Sequence, residues 1–121
     1  MRVAFVSLYP DQRRSDGATG RARRVAEGLA ARGHDVVFCC TQWWEGPLDA
    51  FEQHGVEYVA VTETPSARGF ASKLPFALRR ADPDVIHATN SPPSQVVAAK
   101  TAARVLRVPV VVDWWRSEER R

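Results

Sequence analysis

Gly17-Ala-Thr-Gly20-Arg-Ala-Arg-Arg-Val-Ala-Glu-Gly-Leu-Ala-Ala-Arg-Gly33-His34-Asp35-Val-Val-Phe-Cys-Cys-Thr41 reads as a helix followed by a strand. Ala22, Val25, Ala26, Leu29 and Ala30 recur at i, i+3, i+4, i+7 and i+8, so they form one apolar face of a helix from about Gly20 to Arg32. Thr19 suits the cap at its start and Gly33 the stop. Gly28 costs such a helix about 1 kcal/mol relative to alanine, so its presence implies close packing against a sheet. Val36–Thr41 is apolar nearly throughout, as a strand covered on both faces should be. Upstream, Val3–Leu8 is a similar apolar strand, ended by Tyr9-Pro10, and Asp11–Thr19 is a polar loop. The whole is a β-loop-α-β unit.

The same alternation continues outward. Leu48–His54 reads as a short helix and Val56–Thr62 as a third strand. Ser66–Ala81 has helical spacing, interrupted by Gly69 and by Pro75, which is expected to kink or split it. Asp82-Pro83-Asp84 is a turn, and Val85–Ala88 a fourth strand. Ser91 caps a helix that tolerates Pro92-Pro93 in its first turn and runs to about Leu106. Val108–Asp113 is a fifth strand. Crossovers of this length pair strands in parallel through right-handed connections. The expected class is α/β, an open doubly wound parallel sheet in the order 3-2-1-4-5. Residues 1–113 form that domain and 114–121 a polar tail.

Composition narrows the function. The chain has 121 residues, 45% hydrophobic and 26% charged, with net charge +3, which fits one globular domain. So mild a charge, with no basic run interleaved with aromatics, argues against nucleic acid. All the basic residues except Lys73 and Lys100 are arginine, and Arg13, Arg14, Arg21, Arg23 and Arg24 crowd one region. Cys39 and Cys40 are adjacent on a strand, so they point to opposite faces and form no disulfide framework. No spaced Cys/His set implies a metal, and no cofactor is expected. A reducing, cytoplasmic setting is the expectation, with neither a signal peptide nor an apolar run of spanning length.

In doubly wound sheets ligands bind beyond the carboxyl ends of the strands, where strand order reverses. Three segments reach that crevice: Leu8–Arg21, His87–Ser94 and Asp113–Arg116. Gly17 and Gly20 would let a ligand approach the backbone beside a helix amino terminus, and Arg21 would pair with a phosphate or carboxylate. The spacing is not that of a dinucleotide fingerprint, and a solvated loop explains it as well. His87 suits a hydrogen bond to a ligand hydroxyl, or a base, or a satisfied structural role. His34 and His54 lie at the opposite edge and read as structural. Asn90 and Ser91 open a helix where hydroxyls or an anion could sit, although ordinary capping accounts for Ser91. Asp113 either accepts a proton from an acceptor hydroxyl or caps the next turn. Trp43-Trp44 and Trp114-Trp115 offer faces that stack on sugars or lipids, or cover the ends of the core.

Arg32-Gly33-His34-Asp35-Val36 at the end of the first helix, and Pro83-Asp84-Val85-Ile86-His87 before the fourth-strand edge, resemble the amino-terminal domain of a family 4-type, GT-B-fold glycosyltransferase. The resemblance covers nearly the whole chain. It implies transfer of a hexosyl group from a nucleotide-sugar donor to a sugar, lipid-linked or small-molecule acceptor, without a tightly held metal. It further implies catalytic roles for His87 and Asp113 and substrate contacts for Gly17, Gly20, Arg21, Asn90, Ser91, Trp114 and Trp115. Two departures are visible. Gly17 and Gly20 are separated by Ala18 and Thr19 where the family often has paired glycines. Trp115 stands where many members place a histidine. Asn90, Pro92-Pro93 and Asp113-Trp114 are instead similar to eukaryotic-type β-mannosyltransferases of lipid-linked oligosaccharide assembly, which implies peripheral contact with the inner face of a membrane. The donor-binding second Rossmann-like domain of GT-B enzymes is expected to be absent from this chain, which would then be inactive alone. A non-catalytic Rossmann-like interaction module or remnant is the alternative.

Overall fold

Strands and helices alternate along the chain as the apolar pattern requires. The computed structural model describes residues 1–7, 17–46, 50–62, 67–89 and 93–113. Its elements are β1 (Arg2–Val6), α1 (Gly17–Ala31), β2 (Asp35–Thr41), β3 (Ala50–Gln53), β4 (Val56–Thr62), α2 (Ala67–Ala81), β5 (Val85–Thr89), α3 (Pro93–Leu106) and β6 (Val110–Asp113). They build one sheet in the order β3-β4-β2-β1-β5-β6. β4, β2, β1, β5 and β6 are mutually parallel, the expected 3-2-1-4-5 order, and β3 is antiparallel to β4 at the edge. The polar tail, residues 114–121, lies outside the described residues.

Side-chain alternation gives the sheet two apolar faces. Val3, Phe5, Val36, Phe38, Cys40, Val56 and Tyr58 pack with Ala22 and Ala26 of α1. Ala4, Val6, Val37, Cys39, Val61, Ile86 and Ala88 form the other face, beneath Phe70, Leu74 and Leu78 of α2 and Ala99, Ala102 and Ala103 of α3. Each large side chain buried in this way contributes about 1.5–3 kcal/mol. Tyr58, Phe38, Phe5 and His87 are register partners across four strands. Their rings stack in sequence, with centroids 5.2, 5.7 and 4.8 Å apart.

The helix ends follow from local chemistry. Gly33, at φ 91°, closes α1. Its N–H bonds Ala30 O at 3.0 Å, and His34 N–H bonds Leu29 O at 3.1 Å, the paired bonds of a Schellman cap. Asp82 and Arg107 take the same left-handed conformation after α2 and α3, at φ 50° and 61°. Val108 N–H then bonds Ala103 O at 3.0 Å, so the cap of α3 occupies Val108 and delays β6 to Val110.

Several expectations change. α1 begins at Gly17, so Thr19 lies within the helix and does not cap it. The segment 17–20 contains no proline, and continuing the helix satisfies backbone groups that a loop would leave to solvent. Gly28 does not pack on the sheet. A Cβ built there meets nothing within 4 Å, because Gly28 sits across the helix from Ala26. Residues 50–53 form a strand where a short helix is expected. His54 and Gly55, at φ 53° and 81°, make a two-residue turn that pairs Gln53 with Val56. α2 runs through Pro75 without interruption, since Phe70, Leu74 and Leu78 hold both halves on the same sheet face.

Candidate functional site

The amino edge of the sheet is closed by ionic and backbone contacts. Arg2 pairs with the Asp35 carboxylate and donates through Nε to Ala81 O. Arg2 N–H donates to Asp84 Oδ2 at 2.8 Å, and Asp84 N–H to Arg2 O at 2.8 Å. His34 and His54 both lie at this edge, one in the cap of α1 and the other in the β3–β4 turn.

The carboxyl edge is different in kind. Ser7, one residue past β1, is fully buried, and its N–H extends the ladder to Cys39 O at 3.0 Å. Thr41 ends β2, Thr62 ends β4, and the two are register partners beyond a shift at Cys40. Thr89 ends β5 and pairs in register with Asp113, the last residue of β6. The Thr41 and Thr62 hydroxyls and the Trp43 indole N–H are buried and make no hydrogen bond among the described residues. Buried polar groups of this kind are ordinarily met by water or a ligand. Reading the sequence for charged and aromatic residues missed these strand-terminal hydroxyls. Their signal was four apolar strands each giving way to Ser or Thr.

Strand order reverses between β1 and β5, since the chain leaves β1 toward β2 and leaves β5 toward β6. The crevice of a doubly wound sheet therefore lies above Ser7, Thr89 and Asp113. In parallel crossovers each helix runs back against its strands, so α1 presents its amino end, Gly17–Gly20, to this same edge with N–H groups that have no partner within the helix. Arg21, in the second turn, is exposed.

His87 is not at the end of its strand. It sits two residues below, because Thr89 and Asp113 continue the ladder past it. Its half-buried ring stacks on Phe5 on the α1 face. Gly17, Gly20, Thr89 and Asp113 thus share the carboxyl edge, with His87 one layer beneath it. Asn90, Ser91, Trp114 and Trp115 lie outside the described residues. Trp43 and Trp44 belong to the core. They meet edge to face with centroids 5.7 Å apart, and both pack on Phe51.

Neither thiol is a nucleophile. Burial pushes Cys39 up to about 12, helped by the Glu57 carboxylate and opposed by Arg2. Burial, then the neighbouring Cys39, raises Cys40 as well. They face opposite cores, as their adjacency requires. Among the described residues no group of three His, Cys, Asp or Glu side chains converges on a metal position. No described helix is long and apolar enough to cross a membrane.

The sequence model of the family described as "Glycosyl transferase 4-like domain" matches residues 16–121. No curated protein sequence matches the chain. Among solved structures, the fold is similar to sucrose-phosphate synthase from Thermosynechococcus elongatus, with TM-score 0.70 and 15% identity over 92% of this chain and 32% of that one. A second structure of that synthase, from twinned crystals, gives TM-score 0.68 and 13% identity over 99% of this chain and 66% of that one. The chain thus spans about a third of the first of these structures and just under two thirds of the second.

Proposed function

Because the chain belongs to the glycosyl transferase 4-like domain family, we propose that it forms the acceptor-side half of a nucleotide-sugar-dependent glycosyltransferase. The family match is the observation that carries this reading. The polar carboxyl edge at the point of strand reversal supplies a place for the chemistry. In this reading an acceptor hydroxyl rests above Ser7, Thr89 and Asp113. Its oxygen attacks the anomeric carbon of the donor sugar. The bond from that carbon to the diphosphate breaks, the nucleoside diphosphate leaves with the electron pair, and the hydroxyl proton passes to a base on the protein.

In this reading the proton passes to Asp113, whose backbone ends β6 at the edge, and not to His87, which lies two residues below its strand end. His87, stacked on Phe5, then orients rather than transfers. The amino end of α1, with Arg21 beside it, supports binding of the donor diphosphate or an acceptor phosphate. Asn90, Ser91, Trp114 and Trp115 complete the acceptor surface in this reading. The donor nucleotide is held by a second Rossmann-like domain, in the same polypeptide or another. An acceptor that is lipid-linked places the reaction at the inner face of a membrane.

The test is hexosyl transfer from a panel of nucleotide sugars to alkyl glycosides and prenyl phosphates, read by mass spectrometry, with a donor-binding domain supplied. Asp113→Asn is expected to lower turnover by about 10²–10⁴-fold, the usual worth of a positioned base. Transfer by Asp113→Asn at the wild-type rate would remove that residue from the chemistry. No transfer under any pairing would favour a non-catalytic interaction module.

A further inference from the structure

α2 and α3 lie side by side on one face of the sheet, and their outer surface is basic. α2 carries Arg68, Lys73, Arg79 and Arg80, and α3 carries Lys100 and Arg104. All six are exposed. Neither helix contains an acidic residue. The turn beyond α2 carries Asp82 and Asp84, the latter held by Arg2, and Glu57 of β4 lines a groove beside α2. Within this basic field stand Phe76, 70% exposed, Val97, 66%, and Val105, 75%. Apart from Met1 they are the most exposed large apolar side chains among the described residues.

The helical positions explain the pattern. Phe70, Leu74 and Leu78 face the core, so Phe76 projects on the opposite side, with Lys73 one turn before it and Arg80 one turn after. A groove of about 520 Å³ opens next to it, between α2 and β4, with Lys73, Phe76, Ala77 and Arg80 along one wall and Glu57 and Val59 along the other. Lys73 and Arg80 have no ion pair or hydrogen bond among the described residues.

We propose that this two-helix face docks on an anionic lipid bilayer. The charge selects an anionic partner. The exposed Phe76, Val97 and Val105 select a bilayer over a nucleic acid or a soluble polyanion, because only the bilayer offers an apolar layer beneath its charged surface. Lys73 and Arg80 receive acidic headgroups at the mouth of the groove, and Phe76 enters the boundary between headgroups and acyl chains. This surface lies on the helical layer, apart from the carboxyl edge, so a docked molecule keeps its crevice open. The inference gives the membrane contact of the proposed function a location but does not depend on the transfer reaction.

The experiment is flotation of the purified chain with phosphatidylcholine vesicles and with vesicles containing phosphatidylglycerol, without donor or acceptor. The chain is expected to float with the phosphatidylglycerol vesicles alone and to dissociate as salt rises. Lys73→Glu and Arg80→Glu should each weaken partitioning by about fivefold or more. Phe76→Ser combined with Val105→Ser should weaken it by at least about tenfold. All four positions are exposed, so circular dichroism of each variant should match wild type. Absence of flotation at low salt would overturn the proposal. So would partitioning that the Phe76/Val105 variant leaves unchanged, which would mark simple electrostatic adhesion to any polyanion. Since no sugar substrate is present, either failure leaves the glycosyltransferase reading to its own assay.

Discussion

Gly28 shows how a single residue separates what a pattern implies from what packing requires. It sits mid-helix with open space where a side chain would go. Gly28→Ala should therefore stabilise the fold by about 0.5–1 kcal/mol through helix propensity alone. Urea unfolding measures this, and a loss of stability would mean that the position is packed after all. Cys39 carries a different prediction. Its thiol is pushed up from 9.0 to about 12. Between those values the unfolded chain releases a proton that the folded chain retains, so stability falls as pH rises. The expected slope is roughly 1.4 kcal/mol per pH unit for this thiol. Urea titrations of wild type and Cys39→Ala across pH 9 to about 12 under reducing conditions would show the difference in slope. Parallel curves would contradict the burial of that sulfur.

At the scale of elements, the β3–β4 hairpin depends on its turn. Gly55, at φ 81°, lies where a Cβ would approach Ala30 Cβ to 3.2 Å. Arg23 of α1 donates to Gln53 Oε1 of this hairpin at 3.3 Å, its Nε held by Glu27 one turn along the helix at 3.1 Å. Gly55→Ala should cost about 1–2 kcal/mol from left-handed backbone strain, while His54→Asn should be neutral or stabilising, because asparagine tolerates that conformation. Thermal melts of the two variants check this, and equal destabilisation would refute the turn geometry. This hairpin was also the least legible part of the sequence. Ala50-Phe51-Glu52-Gln53 is short, and its reading as a strand rests on a turn in which histidine takes the place of the usual asparagine. The five parallel strands were legible because Val3–Val6 and Val36–Cys40 are continuous apolar runs that suit a doubly covered sheet, while the apolar runs beside them are broken by Glu57 in β4 and His87 in β5. The true start of α1 was not, because Gly17 and Gly20 resemble loop residues until Ala22 and Ala26 are seen to anchor the helix.

At the scale of the whole molecule, sheet topology decides where chemistry can occur. A closed amino edge, knitted by Arg2, Asp35 and Asp84, contrasts with a carboxyl edge where strands end in Ser, Thr and Asp. The sequence pointed to that edge through Asp113 and Gly17, but it placed His87 one layer too high. It also passed over Ser7, Thr41 and Thr62, since no fixed spacing links them and only their shared place at the end of an apolar strand marks them. The most direct test of the acceptor-side reading is amide chemical-shift mapping by NMR, titrating the isotope-labelled chain with millimolar alkyl hexosides and a prenyl phosphate. The account predicts perturbations gathered at Ser7, Gly17, Gly20, Thr89 and Asp113, with His87 responding beneath them. Perturbations confined to the amino edge, or no response to any of these probes, would contradict it.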